Sequence, residues 1–232
     1  MKNMINLKNE TLLVIAPHAD DEILGCGGLI SKIKKAGGKV YVLIFNAGSV
    51  HGKNKEEATK IWKKETASAM KLLKDDEYDI IFSSDKDNRF LDIKPIHTLI
   101  DTIETTSLVS LKKIKPSIVA IPTNHSHHQD HVRVFEASIA ALRPLGSLTS
   151  RTVISYEAPE HSKWSVSGVF EPNFYIDIEN EIDKKIQAFY KYKNQVRPGV
   201  RDKLTIKNQA AYRGHDVGKK YCEAYLIHRF VF

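Results

Sequence analysis

The chain has 232 residues, 42% hydrophobic and 27% charged, which is ordinary for a soluble globular protein and enough for a sizeable core in one domain. Lys+Arg 35 against Asp+Glu 28 gives a formal charge of +7, scattered over lysines such as Lys32, Lys34, Lys35, Lys60, Lys64, Lys184 and Lys185. Scattered lysine reads as solvated helix face, so no nucleic-acid partner is expected. No apolar run reaches about 18 residues and no signal-peptide core opens the chain, so neither a membrane span nor export is expected. Cys26 and Cys222 lie far apart with no CxxC spacing, as in a reduced, cytoplasmic protein.

In chain order, the apolar run at residues 11–17 predicts a strand, and 23–36 a helix closed by Gly37-Gly38. A second strand spans 40–45, buried on both faces by its unbroken apolar character. A polar loop (46–54) leads to an amphipathic helix at 56–73. Residues 80–82 form a short strand before the Asp- and Asn-rich loop 83–89, and 96–103 reads as a helix. After Lys115-Pro116-Ser117 come a strand at 118–122, a histidine-rich stretch, and a helix at 132–142. Strands at 153–156 and 174–178 follow, then helices at 181–192 and from about 203 to 212, and a C-terminal strand or extended edge at 221–232. Strands alternating with helices, with no repeat or linker, predict a single α/β domain whose sheet is mostly parallel.

Two clusters carry chemistry. Ala16-Pro17-His18-Ala19-Asp20-Asp21-Glu22 follows the first strand, placing one imidazole and three carboxylates where open α/β sheets bind ligands. Those carboxylates could simply cap the following helix. They are nevertheless too many to bury together without a compensating cation, and a divalent metal is the simplest one. Asn124-His125-Ser126-His127-His128-Gln129-Asp130-His131 follows the fourth strand, so two donor clusters at two strand ends can converge on one metal.

The first cluster resembles the A-H-P-D-D-E signature of the LmbE/PIG-L family of zinc-dependent N-deacetylases. His128-Gln129-Asp130-His131 resembles that family's H-x-D-H signature. Tyr221-Cys222-Glu223-Ala224-Tyr225 is similar to its Y-A-E-A-F ending, and Tyr192-Lys193-Asn194-Gln195 to its Y-x-S-Q helix end. The resemblance implies a Rossmann-like three-layer α/β sandwich that removes acetyl groups from N-acetylated amino sugars, with varied aglycones and frequent assembly into homo-oligomers. It implies His18, Asp21 and His131 as Zn²⁺ ligands, other divalent metals being acceptable, and Asp20 as general base. His128 would stabilise the oxyanion or protonate the leaving nitrogen, with Asp130 orienting its ring. Glu22 would cap the helix or hold a ligand.

Two positions depart from the pattern. Ala19 replaces the usual proline, which should loosen the loop. Trp62 stands where many members have arginine, three residues before Glu65. Arg89, in Asp87-Asn88-Arg89-Phe90, resembles an R-x-F element and is the candidate substrate-binding cation; its bland alternative is a surface arginine. Loops 46–54, 83–92 and 157–172 are expected to rim the site. His125 and His127 read as ordinary loop histidines. A dinucleotide-binding reading of Gly25-x-Gly27-Gly28 is a poor match to GxGxxG and places carboxylates where a pyrophosphate would sit. A non-catalytic metal-dependent carbohydrate-binding protein is the remaining rival, and it has no use for Asp20 beside an open metal site.

Overall fold

A computed structural model describes residues 7–46, 53–82, 90–144, 149–157 and 168–231. Its centre is a seven-stranded sheet in the order β3-β2-β1-β4-β5-β7-β6. These strands are β1 (Thr11–His18), β2 (Lys39–Asn46), β3 (Glu77–Phe82), β4 (Ile118–Pro122), β5 (Thr152–Tyr156), β6 (Phe174–Asp177) and β7 (Cys222–Phe230). The first five run parallel, while β7 is antiparallel to both β5 and β6. Val14 of β1 sits between Val42 of β2 and Ala120 of β4. The chain moves outward from β1 in one direction and then restarts on its other side at β4. The carboxyl ends of β1 and β4 therefore flank the crevice at this topological switch point, where such sheets bind ligands.

Strand residues alternate between two buried faces, which makes the fold three layers. Leu12, Val14 and Ala16 pack under α1 (Asp21–Ala36), α2 (Lys55–Leu73), α6 (Ile182–Phe189) and α7 (Lys203–His215). Leu13 and Ile15 pack under α3 (Ile96–Asp101), α4 (Leu111–Ile114) and α5 (Gln129–Ala141). All five β1 side chains are fully buried, each stabilising the fold by about 1.5–3 kcal/mol if it is Val, Leu or Ile. Among the described residues no helix is long and apolar enough to cross a membrane.

Helix α1 explains the glycines that superficially suggest a nucleotide site. A Cβ on Gly25 would lie 2.2 Å from the Tyr156 ring, and one on Gly28 would lie 2.5 Å from Ile178. The bare backbone instead admits a buried clamp from β7 and α6. Glu223 accepts the N–H groups of Gly28 and Leu29, each at 2.7 Å, while Lys185 Nζ donates to Leu24 O and to Glu223 at 2.7 Å. The Tyr225 hydroxyl donates to the other Glu223 oxygen at 2.8 Å. Every one of these buried polar groups is satisfied, as burial requires.

The elements differ from the sequence expectation in several places. Helix α5 begins at Gln129 rather than 132, because His128 Nδ1 accepts the Asp130 N–H at 3.3 Å and caps it. Histidine is not among the usual capping residues, so the signal was missed. Helix α6 ends at Phe189, followed by a 3-10 turn over Lys193–Gln195. The helix expected at 96–103 is α3 continued by a π-helical turn, Thr102–Thr106, and α4 was not expected. The C-terminal strand is internal to the sheet, with β6 taking the edge instead.

Candidate metal centre

Both motif loops enter helices. His18 ends β1, and Asp20, at the N-cap of α1, is followed by Asp21 and Glu22 in its first turn. His128 caps α5, with Asp130 and His131 in its first turn. Two helix N-termini thus aim positive dipole ends at one acidic crevice.

Donor atoms of His18, Asp21 and His131 all lie within 4.8 Å of one another. Asp21 Oδ2 is 3.5 Å from His18 Nδ1 and 3.2 Å from His131 Nε2, and it also accepts the His18 N–H at 3.0 Å. Tetrahedral zinc with ligands at about 2.1 Å sets donors about 3.4 Å apart, so these residues fit the ion. The set is nitrogen and oxygen only, three protein donors, as in catalytic zinc sites. The buried acid is charged: burial works against ionisation of Asp21, but His131 and His18 outweigh it and hold its carboxyl well below the usual range.

Asp130 serves a different neighbour from the one expected. Its Oδ2 lies 3.0 Å from His18 Nε2, the ring nitrogen pointing away from Asp21, and its Oδ1 accepts the Leu91 N–H at 3.0 Å. It therefore orients the His18 ring, while its main-chain N–H addresses His128 Nδ1. A carboxylate behind a ligating imidazole fixes its tautomer and ring plane. Burial alone would lower the His18 pKa, but the hydrogen bonds to Asp130 and Asp21 raise it to about 10 in the metal-free protein.

Asp20 is held in an uncommon conformation, φ 113°, which for a residue with a side chain stores roughly 1–3 kcal/mol of strain. Its N–H donates to Glu22 Oε2 at 2.9 Å, and Glu22 Oε1 accepts the Tyr192 hydroxyl at 2.6 Å. Glu22 is fully buried and bonds the neighbouring main chain, in keeping with a supporting role. The Asp20 carboxylate meets Arg201 Nη1 at 2.9 Å. Burial, then the neighbouring Asp21 charge, pushes its pKa well above the ordinary value, while Arg201 opposes them.

Arg201 was not singled out from the sequence; it lies in a turn far from both motifs, with no pattern to flag it. Trp62 does not reach the site: it is buried against Tyr192, ring centroids 5.7 Å apart. Arg89 lies outside the described residues, as do 47–52 and 158–167 of the expected rim loops. His125 is half-buried and hydrogen-bonded to Thr123 through its N–H at 3.1 Å, whereas His127 is exposed. Cys26 and Cys222 are buried free thiols.

A family model described as PIG-L: GlcNAc-PI de-N-acetylase matches residues 13–142, more than half of the chain, and the protein belongs to this family. A diacetylchitobiose deacetylase of Thermococcus kodakarensis is 24% identical over 229 residues, covering 91% of this chain and 80% of that one. A Bacillus subtilis protein described as "Probable N-acetyl-alpha-D-glucosaminyl L-malate deacetylase 2" is 28% identical over 202 residues, covering 83% and 86%. Among solved structures, the N,N'-diacetylchitobiose deacetylase of Pyrococcus horikoshii superposes with a TM-score of 0.73 at 19% identity, covering 94% of this chain and 83% of that one. A 4-carboxy-2-hydroxymuconate hydratase from Pseudomonas putida shares the fold too, with a TM-score of 0.68 at 17% identity, covering 96% and 98%. One fold thus houses more than one reaction, and it is the site that decides between them.

Proposed function

We propose that the protein is a metal-dependent amide hydrolase that removes the acetyl group from an N-acetylated amino sugar, of GlcNAc type or linked to a nucleotide, lipid or small molecule. The observation that carries this reading is a buried acid, Asp20, next in the chain to Asp21 and near enough to feel the charges of Asp21 and His18, whose donors converge with that of His131. A binding protein needs the donors but not the extra base. Zn²⁺ is the metal that best suits this donor set, held by those three side chains. When bound, it would polarise the amide carbonyl and lower the pKa of a water in its open position from about 15.7 towards 7.

The chain supplies the proton chemistry. Asp20 takes a proton from the attacking water and returns it to the leaving nitrogen, as a general base turned general acid. His128 accepts the Asp130 N–H at Nδ1, which leaves its neutral ring with the proton on Nε2. That N–H donates to the carbonyl oxygen as negative charge develops there. Of the two roles open to His128 in the sequence, oxyanion stabilisation is the one this cap favours. Asp130 holds the His18 ring, and Glu22 holds the Asp20 main chain.

The test is an acetate-release screen over N-acetyl sugars, free and carrying phosphate, nucleotide, lipid or carboxylate aglycones, with and without chelator. At least one sugar should release acetate, chelator should abolish it, and added Zn²⁺ should restore it. No release from any sugar by zinc-loaded protein would contradict the reading.

A further inference from the structure

The sequence offered positions 62 and 89 for a cation at the reacting groups; the structure brings one from elsewhere. Arg201 Nη1 lies 2.9 Å from Asp20 Oδ2 and, with its second hydrogen, 2.9 Å from Gln195 Oε1. Asp20 has little main-chain freedom. Its carbonyl accepts the N–H groups of Ile23 and Leu24, each at 3.0 Å, and its own N–H is taken by Glu22. Rotation of the carboxylate is what remains to be fixed.

We infer that Arg201 is a positioning residue for the catalytic base, locking the orientation of the Asp20 carboxylate from a turn outside both motifs. The inference rests on the reading of Asp20 as that base. The turn is a stiff platform. Arg201 and Arg197 exchange main-chain hydrogen bonds at 2.8 and 2.9 Å across Gly199, whose φ of 76° suits glycine. The next residue, Asp202, accepts the Gly199 N–H at 2.6 Å and caps α7 in a reciprocal capping box with Thr205. The guanidinium therefore arrives from a capped helix start, and Gln195 fixes its rotation. With side chains only 15% and 5% exposed, Arg201 and Asp20 interact with little solvent screening. Arginine suits the task because its planar fork fixes direction as well as charge.

A pair that merely stabilised the fold would affect melting and leave the chemistry alone. The experiment compares the unsubstituted protein with Arg201→Ala, Arg201→Lys and Gln195→Ala on the best substrate of the screen, with melting temperature and bound zinc measured alongside. Arg201→Ala should lose about 10- to 100-fold in kcat, the scale of one lost hydrogen bond to a charged group, with KM changed less than about twofold. Zinc content should stay the same, while melting falls, because removing one partner of a buried ion pair leaves the other unpaired. Arg201→Lys should fall between the two, and Gln195→Ala, the milder variant if Arg201→Ala does not fold, should lose about 3- to 10-fold. Added guanidinium ion should restore part of the Arg201→Ala rate and none of the Asp20→Asn rate. Crystal structures of the unsubstituted protein and Arg201→Ala should show the Asp20 carboxylate turned away in the variant. An unchanged kcat, a loss wholly in KM, a loss that neither lysine nor guanidinium relieves, or an unmoved carboxylate would overturn the inference. If the unsubstituted protein releases no acetate, the catalytic reading fails, and the carboxylate position in the two structures still decides whether Arg201 orients Asp20.

Discussion

Ala19 sits where the family signature usually has proline, and its main chain uses what proline lacks. Its N–H donates to Asn46 O at 3.1 Å, tying the motif loop to the end of β2. The loosening expected from the sequence is thus offset by a bond that a proline could not make. At His18, proton and metal compete for the same ring. In the metal-free protein Asp130 and Asp21 hold a proton on its ring, with the pKa raised to about 10, and a ligand must give up that proton to bind metal. Zinc binding should therefore release a proton, and apparent affinity should rise about tenfold per pH unit from about pH 7 to 9. Competition titrations against a chelator of known affinity would measure this, and a flat profile would remove His18 from the ligand set. The convergence of His18, Asp21 and His131 was legible because each falls in a compact motif. The partner of Asp130 was not, since which imidazole a second-row carboxylate faces depends on how two helix N-termini meet.

Helix α1 shows how an element is set by contacts distant in sequence. Its glycines at 25, 27 and 28 lower intrinsic helicity, each by about 1 kcal/mol relative to alanine. They remain because Tyr156, Lys185, Ile178 and Glu223 pack where side chains would stand. Gly25→Ala sets these two effects against each other. The propensity gain is about 1 kcal/mol, but the new Cβ would lie 2.2 Å from a ring that is fully buried and hydrogen-bonded through its hydroxyl to Ile15 O. Overpacking costs of about 1–3 kcal/mol are usual, and this contact belongs at the upper end, so a net loss of about 2 kcal/mol is expected. Gly199→Ala meets no atom within 4 Å and pays only for its φ of 76°, about 1 kcal/mol. Denaturant midpoints should rank Gly25→Ala as the less stable variant; the reverse order would contradict the packing account. The strands and the starts of most helices were legible from apolar runs and turn residues. The α5 cap and the internal place of β7 were not, because the first rests on an uncommon capping residue and the second on pairing between strands far apart in sequence.

At the scale of the whole molecule, the sheet order brings the site together. Strands β1 and β4 are neighbours although about a hundred residues separate them, so the two motif loops open side by side. A parallel α/β sheet could be read from the alternation of strands and helices, but the order of its strands could not. Arg201 was invisible for the same reason: its turn reaches Asp20 because α6 packs on α1 and α7 packs on α6 and β7, not through any motif. The proposed chemistry is that this crevice holds a metal with three side chains and hydrolyses an amide with a fourth. Its most direct measurement pairs zinc content with acetate release for the unsubstituted protein and Asp20→Asn. Both proteins should carry about one Zn²⁺ per chain, and turnover should be lower by about 10²–10⁴-fold in the variant. Normal turnover by Asp20→Asn, or loss of its zinc, would contradict the account and reopen the roles of Asp20 and Asp21.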